Sequence, residues 1–118
     1  EHEFFAQFNG LEGVKYAVVA YQDGKAVGCG AIKAYDDHTM EIKRMFVDDH
    51  ARGKGIASLI LKNLEAWTKE LHFKKCILET GVKMPEAIAL YTKNNYELIP
   101  NFGQYAGVDS SVCFLKKI

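Results

Sequence analysis

The hydrophobic period of the chain changes once, and that change limits the folds available to the sequence. Before residue 48 the apolar residues occur in β-rich runs, whereas through about residue 71 they recur at helical spacing. The helical positions are Ile56, Leu59, Ile60, Leu64, Trp67 and Leu71. A short apolar strand, Cys76-Ile77-Leu78, follows. A strand, a helix and a strand of this length predict a right-handed crossover between two parallel strands.

The residues before this crossover predict an antiparallel meander. Tyr16–Tyr21 and Ala26–Tyr35 are rich in β-formers, and Asp23-Gly24 between them is a strong hairpin signal. A second polar turn leads into Met40–Val47, which we interpret as a third strand. Antiparallel strands followed by a parallel crossover predict a mixed sheet and an α+β fold class.

The residues after the crossover predict one more helix and two closing strands. Pro85 suits the first turn of a helix whose buried side includes Leu90 and Tyr91. Residues 96–99 and 112–115 are interpreted as strands. The loop at residues 100–111 is the longest irregular stretch, and we expect it to be functional.

Length and N-terminal sequence bear on domain organisation. The 118 residues have the size of one domain. Residues 1–8 predict the end of an amphipathic helix that stops at Asn9-Gly10. Because this helix has no visible beginning and Glu1 is not an initiator methionine, we expect an N-terminal piece to have been lost.

Charge and composition exclude several kinds of partner. Fifteen basic residues balance fifteen acidic ones, so a nucleic acid or an anionic membrane surface is not expected as a partner. No apolar stretch approaches the roughly 20 residues that span a bilayer. Cys29, Cys76 and Cys113 lie in apolar runs, which predicts reduced core thiols and a cytoplasmic protein. The four histidines are dispersed, and no metal site is predicted.

The segment from Arg52 to Ala57 is the strongest candidate for a binding site. Glycines at a helix start let a phosphate approach free backbone N–H groups, and Arg52 and Lys54 can add charge-assisted contacts. On its own this string fits a simple polar helix cap about equally well. An ATP-type P-loop is excluded because no Lys-Ser or Lys-Thr pair follows Gly55. A dinucleotide fold fits poorly because the preceding strand belongs to an antiparallel meander.

In this setting the sequence resembles the GNAT superfamily of N-acetyltransferases. The pyrophosphate signature of that family is Gln or Arg, two residues, Gly, one residue, and Gly or Ala, which Arg52, Gly55 and Ala57 match. Met45-Phe46-Val47 resembles the strand end before the signature, and Ala87–Tyr91 resembles the later tyrosine-bearing helix. The resemblance extends from about Tyr16 to the C-terminus. It implies a GNAT fold with a splayed parallel strand pair and flanking helices, lacking the first strand and part of the first helix.

The resemblance implies acetyl-CoA as the co-substrate. The two splayed strands would admit the pantetheine arm, and the backbone would hold the arm and the pyrophosphate. The cofactor-binding residues implied are Met45, Phe46, Val47, Arg52, Gly53, Lys54, Gly55, Ile56, Ala57 and Ser58.

The resemblance also implies catalytic roles for two residues. Tyr91 would be the general acid that protonates the coenzyme A thiolate, against the alternative of a tyrosine that only packs. Glu41 would be the base that deprotonates the amine, against the alternative of an exposed carboxylate paired with a lysine. Glu79 and a water relay stay open as other bases.

The sequence departs from the family pattern at two places, and the acceptor is the last part of the prediction. Met84 stands where many members have an Asn that binds the coenzyme arm, and Asn95-Tyr96 replaces the usual Gly-Phe. The acceptor is expected to be a small-molecule primary amine, with Lys43 and Arg44 either binding an anionic group on it or solvated. A non-catalytic acyl-CoA-binding module, a protein or peptide acetyltransferase, and a homodimer stay open.

Overall fold

The computed structural model describes residues 16–118, which form a six-stranded sheet and two α-helices. The strands are β1 (Tyr16–Gln22), β2 (Lys25–Ala34), β3 (Thr39–Val47), β4 (Lys75–Gly81), β5 (Glu97–Ile99) and β6 (Ser111–Lys117). The helices are α1 (Ile56–Glu70) and α2 (Pro85–Lys93). The sheet order is β1-β2-β3-β4-β6-β5. The helix predicted at residues 1–8 lies outside the described residues.

The first three strands form the predicted antiparallel meander. In the β1–β2 hairpin, Gln22 lies opposite Lys25, and the two turn residues, Asp23 and Gly24, have φ values of 53° and 80°. Two successive left-handed residues are typical of the type I′ turn, whose twist matches that of the strands. β3 then pairs antiparallel with β2. The predicted hairpin at Asp23-Gly24 and its antiparallel strands are therefore confirmed.

The crossover between β3 and β4 is parallel, as predicted, but the pairing is short. Only Thr39–Glu41 of β3 lies in register with Lys75–Ile77 of β4, and within the described residues the ladder ends there. The other edge of β4 pairs with β6 along its whole length. The sheet is therefore continuous at one end and opens between β3 and β4 at the other.

The main core lies where α1 packs against the sheet. Ile60, Leu61 and Leu64 on α1 are at most 1% exposed. A Cβ atom at Gly30 on β2 would stand 2.7 Å from the Met45 Sδ and 2.9 Å from Ile60 Cγ2, so only glycine allows α1 to lie this close. The three cysteines are buried and unpaired, which confirms the prediction of core thiols.

Several boundaries differ from the predicted ones. The glycine-containing segment predicts a helix start near Lys54, but α1 begins at Ile56, because Gly55 has a left-handed φ of 79° and acts as the N-cap. β4 is longer than the three predicted residues because it pairs with β6 throughout. Asn95, which stands where the family usually has Gly, has a φ of 70° and takes the left-handed conformation that Asn tolerates. Within residues 16–118, neither helix has the length and apolar character needed to cross a membrane.

Candidate active site

The connection from β3 to α1 is held by Arg52. Its Nε donates a hydrogen bond to the Val47 carbonyl at 3.0 Å, and its Nη1 lies 3.0 Å from an Asp49 carboxylate oxygen. Its backbone N–H donates to the Asp49 carbonyl at 3.3 Å. The guanidinium therefore fixes the loop against the end of β3. The predicted contact between this side chain and a phosphate stays a prediction.

The residues after Arg52 present free backbone donors. Gly53 and Gly55 both have a φ of 79°, a region that glycine occupies without strain. Among the described residues that follow Arg52, the first amide with a backbone acceptor is that of Leu59, which donates to the Gly55 carbonyl at 3.0 Å. The six N–H groups of residues 53–58 are therefore available to an anion at the positive end of α1.

A cavity of about 260 Å³ lies beside this turn. It is lined by Val47, Arg52, Gly53, Gly55, Ala57, Ser58, Leu90 and Lys93. A neighbouring surface depression shares Gly55, Ser58 and Lys93 with this cavity and adds Lys62. The segment between the strand and the helix thus forms one wall of a site, and α2 forms another.

Lys62 and Lys93 are cations that the sequence prediction missed. Both are exposed, and neither forms an ion pair with a carboxylate among the described residues. Lys62 follows Ser58 by four residues on α1, so helical spacing could have placed it on the same face. No local signal places Lys93, because it reaches the turn from the end of a different helix.

The opening between β3 and β4 forms a cleft of about 480 Å³. It is lined by Glu41, Ile42, Lys43, Arg44, Met45, Glu79, Thr80, Met84, Ala87, Tyr91, Gln104 and Tyr105. The two residues predicted to be catalytic, Tyr91 and Glu41, are therefore in one cleft. Thr80, Gln104 and Tyr105 were missed, because the register of β4 and the course of the long loop bring them there.

Tyr91 combines burial with a free hydroxyl group. It is 6% exposed, and its ring centroid lies 5.9 Å from that of Tyr96 and 6.1 Å from that of Phe114. Burial, together with the negative charge of Glu79, raises the pKa of Tyr91 to about 12. Its hydroxyl has no hydrogen-bond partner among residues 16–118. Tyr91 is therefore a protonated donor that faces the cleft without a competing acceptor.

Two carboxylates share the cleft with Tyr91. Glu41 Oε2 lies 3.3 Å from the Lys43 Nζ, and Glu79 Oε2 accepts a hydrogen bond from the Ser111 hydroxyl at 2.6 Å. The Glu41–Lys43 pair is the lysine contact that was weighed as an alternative for Glu41. Both predicted bases are thus placed in the same cleft, and each already has a polar partner.

The last residues of β3 connect the cleft to the cavity beside the turn. Met45 lines the cleft, Val47 lines the cavity, and Phe46 packs on the opposite side near Cys29. Since a strand rises about 3.3 Å per residue, the two sites are roughly 7 Å apart along the chain. A ligand with an anionic group at one end and a reactive group at the other can therefore span both.

Sequence comparison identifies the family. A profile for the Acetyltransferase (GNAT) family matches residues 1–96. The chain belongs to the GNAT acetyltransferase family. The resemblance on which the fold and the acyltransferase class were predicted is therefore confirmed, as is the mixed sheet with its parallel pair.

This GNAT chain matches part of the length of two relatives. An IAA acetyltransferase of Azospirillum brasilense is 38% identical over 101 residues, covering 85% of this chain and 65% of that protein. An uncharacterized N-acetyltransferase of Escherichia coli, YjgM, is 34% identical over 110 residues, covering 90% of this chain and 65% of that protein. The chain thus spans about two thirds of the length of these relatives.

Solved structures have the same GNAT fold. A candidate acyl-CoA N-acyltransferase from Klebsiella pneumoniae superposes with a TM-score of 0.86 at 31% identity, covering 98% of this chain and 83% of the other. A GNAT family acetyltransferase from Elizabethkingia anophelis, solved with acetyl-CoA bound, gives a TM-score of 0.79 at 19% identity, covering 100% of this chain and 84% of the other. At that identity the second match shows the fold alone.

Within residues 16–118, no three His, Cys, Asp or Glu residues are grouped so that they could hold a metal ion.

Met84, which replaces the usual Asn, lies at the rim of the cleft and is 55% exposed. A thioether cannot donate a hydrogen bond, so any polar contact to a ligand at this position must come from another group.

Proposed function

We propose that this GNAT chain transfers an acetyl group from acetyl-CoA to the primary amine of a small molecule. The observation that carries the proposal is the continuity of two sites along the end of β3. One site offers free backbone N–H groups to an anion, and the other holds a protonated tyrosine beside two carboxylates. Coenzyme A has this polarity, with a diphosphate at one end and a thioester at the other.

In this proposal the amides of residues 53–58 bind the pyrophosphate, and Lys93 and Lys62 attract the remaining phosphate charge. The pantetheine arm follows Met45–Val47, where the separation of β3 from β4 leaves strand edge for hydrogen bonds. The thioester then lies in the cleft near Tyr91. The structure with bound acetyl-CoA from Elizabethkingia anophelis supports this ligand.

The chemistry proposed is direct attack in a ternary complex. The amine nitrogen forms a bond to the acetyl carbon while the carbon–sulfur bond breaks, and coenzyme A leaves as the thiol. An alkyl ammonium ion with a pKa of about 10.4 must first lose a proton, which Glu41, Glu79 or a water bound to them accepts. Tyr91 protonates the departing sulfur, and its raised pKa keeps that proton in place at neutral pH.

The three buried thiols also favour a reducing compartment such as the cytoplasm. Whether the chain works as a homodimer is a separate prediction, and the site as described draws on residues of one copy.

The proposal is tested by following free thiol release from acetyl-CoA in the presence of a panel of primary amines. We expect at least one amine to raise the rate well above the hydrolysis measured without acceptor. Mass spectrometry of that reaction should show a gain of one acetyl group on the amine. If acetyl-CoA binds but no amine of the panel changes the rate, the chain is a coenzyme-binding module and the proposal is wrong.

A further inference from the structure

Some charged side chains of the cleft form an ion pair within the cleft, and others do not. Four charged side chains line it, and Glu41 and Lys43 pair with each other at 3.3 Å. Glu79 accepts the Ser111 hydroxyl at 2.6 Å. Arg44 is exposed and forms no ion pair with any carboxylate in residues 16–118. The cleft therefore contains one guanidinium whose charge is not offset within the described protein.

Arg44 has a backbone conformation that is unfavourable for a residue other than glycine. On β2, Cys29 lies opposite Phe46 and Ala31 opposite Lys43, so Gly30 alone faces both Arg44 and Met45. Arg44 is the extra residue of this bulge, and its φ is 55°. The Cys29 thiol donates to the Arg44 carbonyl at 3.4 Å, which helps to hold the bulge. Left-handed non-glycine residues are unfavourable and are concentrated at functional sites.

The donor does not require a cation in the cleft. The anionic groups of acetyl-CoA are its phosphates, which the proposed function places at residues 53–58, beyond the end of β3. The pantetheine arm and the acetyl group are neutral. An anion that Arg44 binds must therefore belong to the acceptor.

We propose that the acceptor is an amine that also carries a carboxylate, and that Arg44 binds this carboxylate. The inference rests on the proposed acetyl transfer. A guanidinium matches a carboxylate with two parallel hydrogen bonds, whereas the ammonium group of the acceptor is drawn to Glu41 and Glu79. The cleft thus complements a zwitterion, with negative side chains for the amine and one positive side chain for the acid.

The wall of the cleft that the loop before β6 forms adds no charge that could compete for Arg44. Gln104 and Tyr105 come from a short 3-10 turn and are uncharged. The ring of Phe102 packs edge-on against Tyr105 at 5.5 Å and against Tyr35 at 5.3 Å, which fixes this wall. The side chains of Gln104 and Tyr105 can each donate a hydrogen bond to a carboxylate that Arg44 binds.

The experiment compares amines that differ only in the anionic group. The probes are the proteinogenic L-amino acids, β-alanine and 4-aminobutyrate, each with its carboxamide, assayed by thiol release from acetyl-CoA. For the best acceptor we expect kcat/KM to exceed that of its amide by roughly tenfold or more, since hydrogen bonds to charged groups are the stronger ones.

Three variants assign this preference to Arg44. Arg44→Gly removes the charge and relieves the left-handed φ, so it should fold and have an unchanged or higher Tm. It should raise KM for the amino acid roughly 10- to 100-fold while leaving KM for the amide and the Kd of acetyl-CoA unchanged. Arg44→Lys should restore part of the preference. Lys25→Ala, which removes an exposed charge at the distant β1–β2 hairpin, should behave like the parent.

Failure of the inference and failure of the proposed function give different results. If amides are acetylated as well as acids, or if Arg44→Gly keeps the preference for acids, the inference is wrong while acetyl transfer stands. If acetyl-CoA does not bind, or no amine of the panel releases thiol, the proposed function is wrong and the inference falls with it.

Discussion

The turn at residues 53–58 and the cleft between β3 and β4 are built from different kinds of groups, and in the proposed function each receives a different ligand. The turn uses backbone N–H groups of one continuous segment, freed by the start of α1 and by Gly53 and Gly55. The cleft uses side chains from β3, β4, α2 and the loop before β6. The proposed donor site is therefore local in sequence, whereas the proposed acceptor site depends on how separate segments meet. Substitutions should affect the two regions independently.

The largest effect is expected from Tyr91→Phe, in the cleft. The variant keeps the ring contacts with Tyr96 and Phe114 but removes the proton donor. Because general acid catalysis contributes roughly 10²- to 10⁴-fold, kcat should fall by about that factor while the Kd of acetyl-CoA stays unchanged. Thiol-release kinetics and calorimetry measure the two quantities.

Tyr96→Phe is the matched control for this substitution. The Tyr96 hydroxyl donates to Glu65 at 2.9 Å and does not line the cleft. Its loss should lower the free energy of unfolding by roughly 1–3 kcal/mol and leave kcat near that of the parent. Equal losses of kcat in both variants would show that Tyr91 acts only through packing.

The next effect is expected from Gly55→Val, in the turn. Gly55 has a φ of 79° and no atom within 4 Å of an added Cβ, so the damage comes from the backbone and from the space that the ligand needs. We expect acetyl-CoA binding to weaken by roughly 10- to 100-fold, measured by calorimetry. Gly24→Val is the control, because Gly24 has a φ of 80° and equally open surroundings at the hairpin. Both should lower Tm, but only Gly55→Val should weaken binding; equal affinities would contradict the assigned role of the turn.

A smaller effect is expected from Lys93→Ala. Lys93 lines the cavity beside the turn and is exposed, so its contribution is screened by salt. The Kd of acetyl-CoA should rise by a factor of about 3–10 at low ionic strength and by less at high salt. Lys69→Ala, on the exposed last turn of α1, is the control. Identical salt dependence in the parent and in Lys93→Ala would remove Lys93 from the donor site.

The smallest effect concerns stability at alkaline pH. Burial raises the pKa of Cys29 and of Cys76 from 9.0 to about 11, with smaller contributions from neighbouring charges. The unfolded chain loses these protons first, so their stabilisation is full below pH 9 and is lost as the pH rises through 11. Tm should therefore decline between pH 9 and pH 11, and less so in the Cys29→Ala, Cys76→Ala double variant. Equal slopes for parent and variant would contradict this assignment.

The same contrast explains how much the sequence could predict. The hairpin at Asp23-Gly24, the turn at Gly53 and Gly55, and the helical period of α1 are each marked by residues close together in sequence. These elements were therefore predicted directly. The resemblance to GNAT proteins supplied Tyr91 and Glu41. Lys93, Gln104 and Tyr105 reach their sites through tertiary packing of distant segments, and no local pattern marks them.

Some predictions from sequence also depended on charge partners that only the structure shows. Lys43 and Arg44 are adjacent cations, and the sequence alone does not show which of them would bind an anionic group on the acceptor. In the structure Lys43 is paired with Glu41, whereas Arg44, the extra residue of the bulge opposite Gly30, forms no ion pair with a carboxylate among residues 16–118. The strand pairing, and not the residue type, distinguishes them.

The most direct test of the account is a calorimetric titration of the chain with acetyl-CoA at two temperatures. We predict saturable binding of one equivalent with a Kd in the micromolar range, corresponding to about −8 kcal/mol. Inorganic pyrophosphate should compete for the same site, because the diphosphate of acetyl-CoA is proposed to bind the amides of residues 53–58. The absence of saturable heat at both temperatures would contradict the assignment of the turn to coenzyme A.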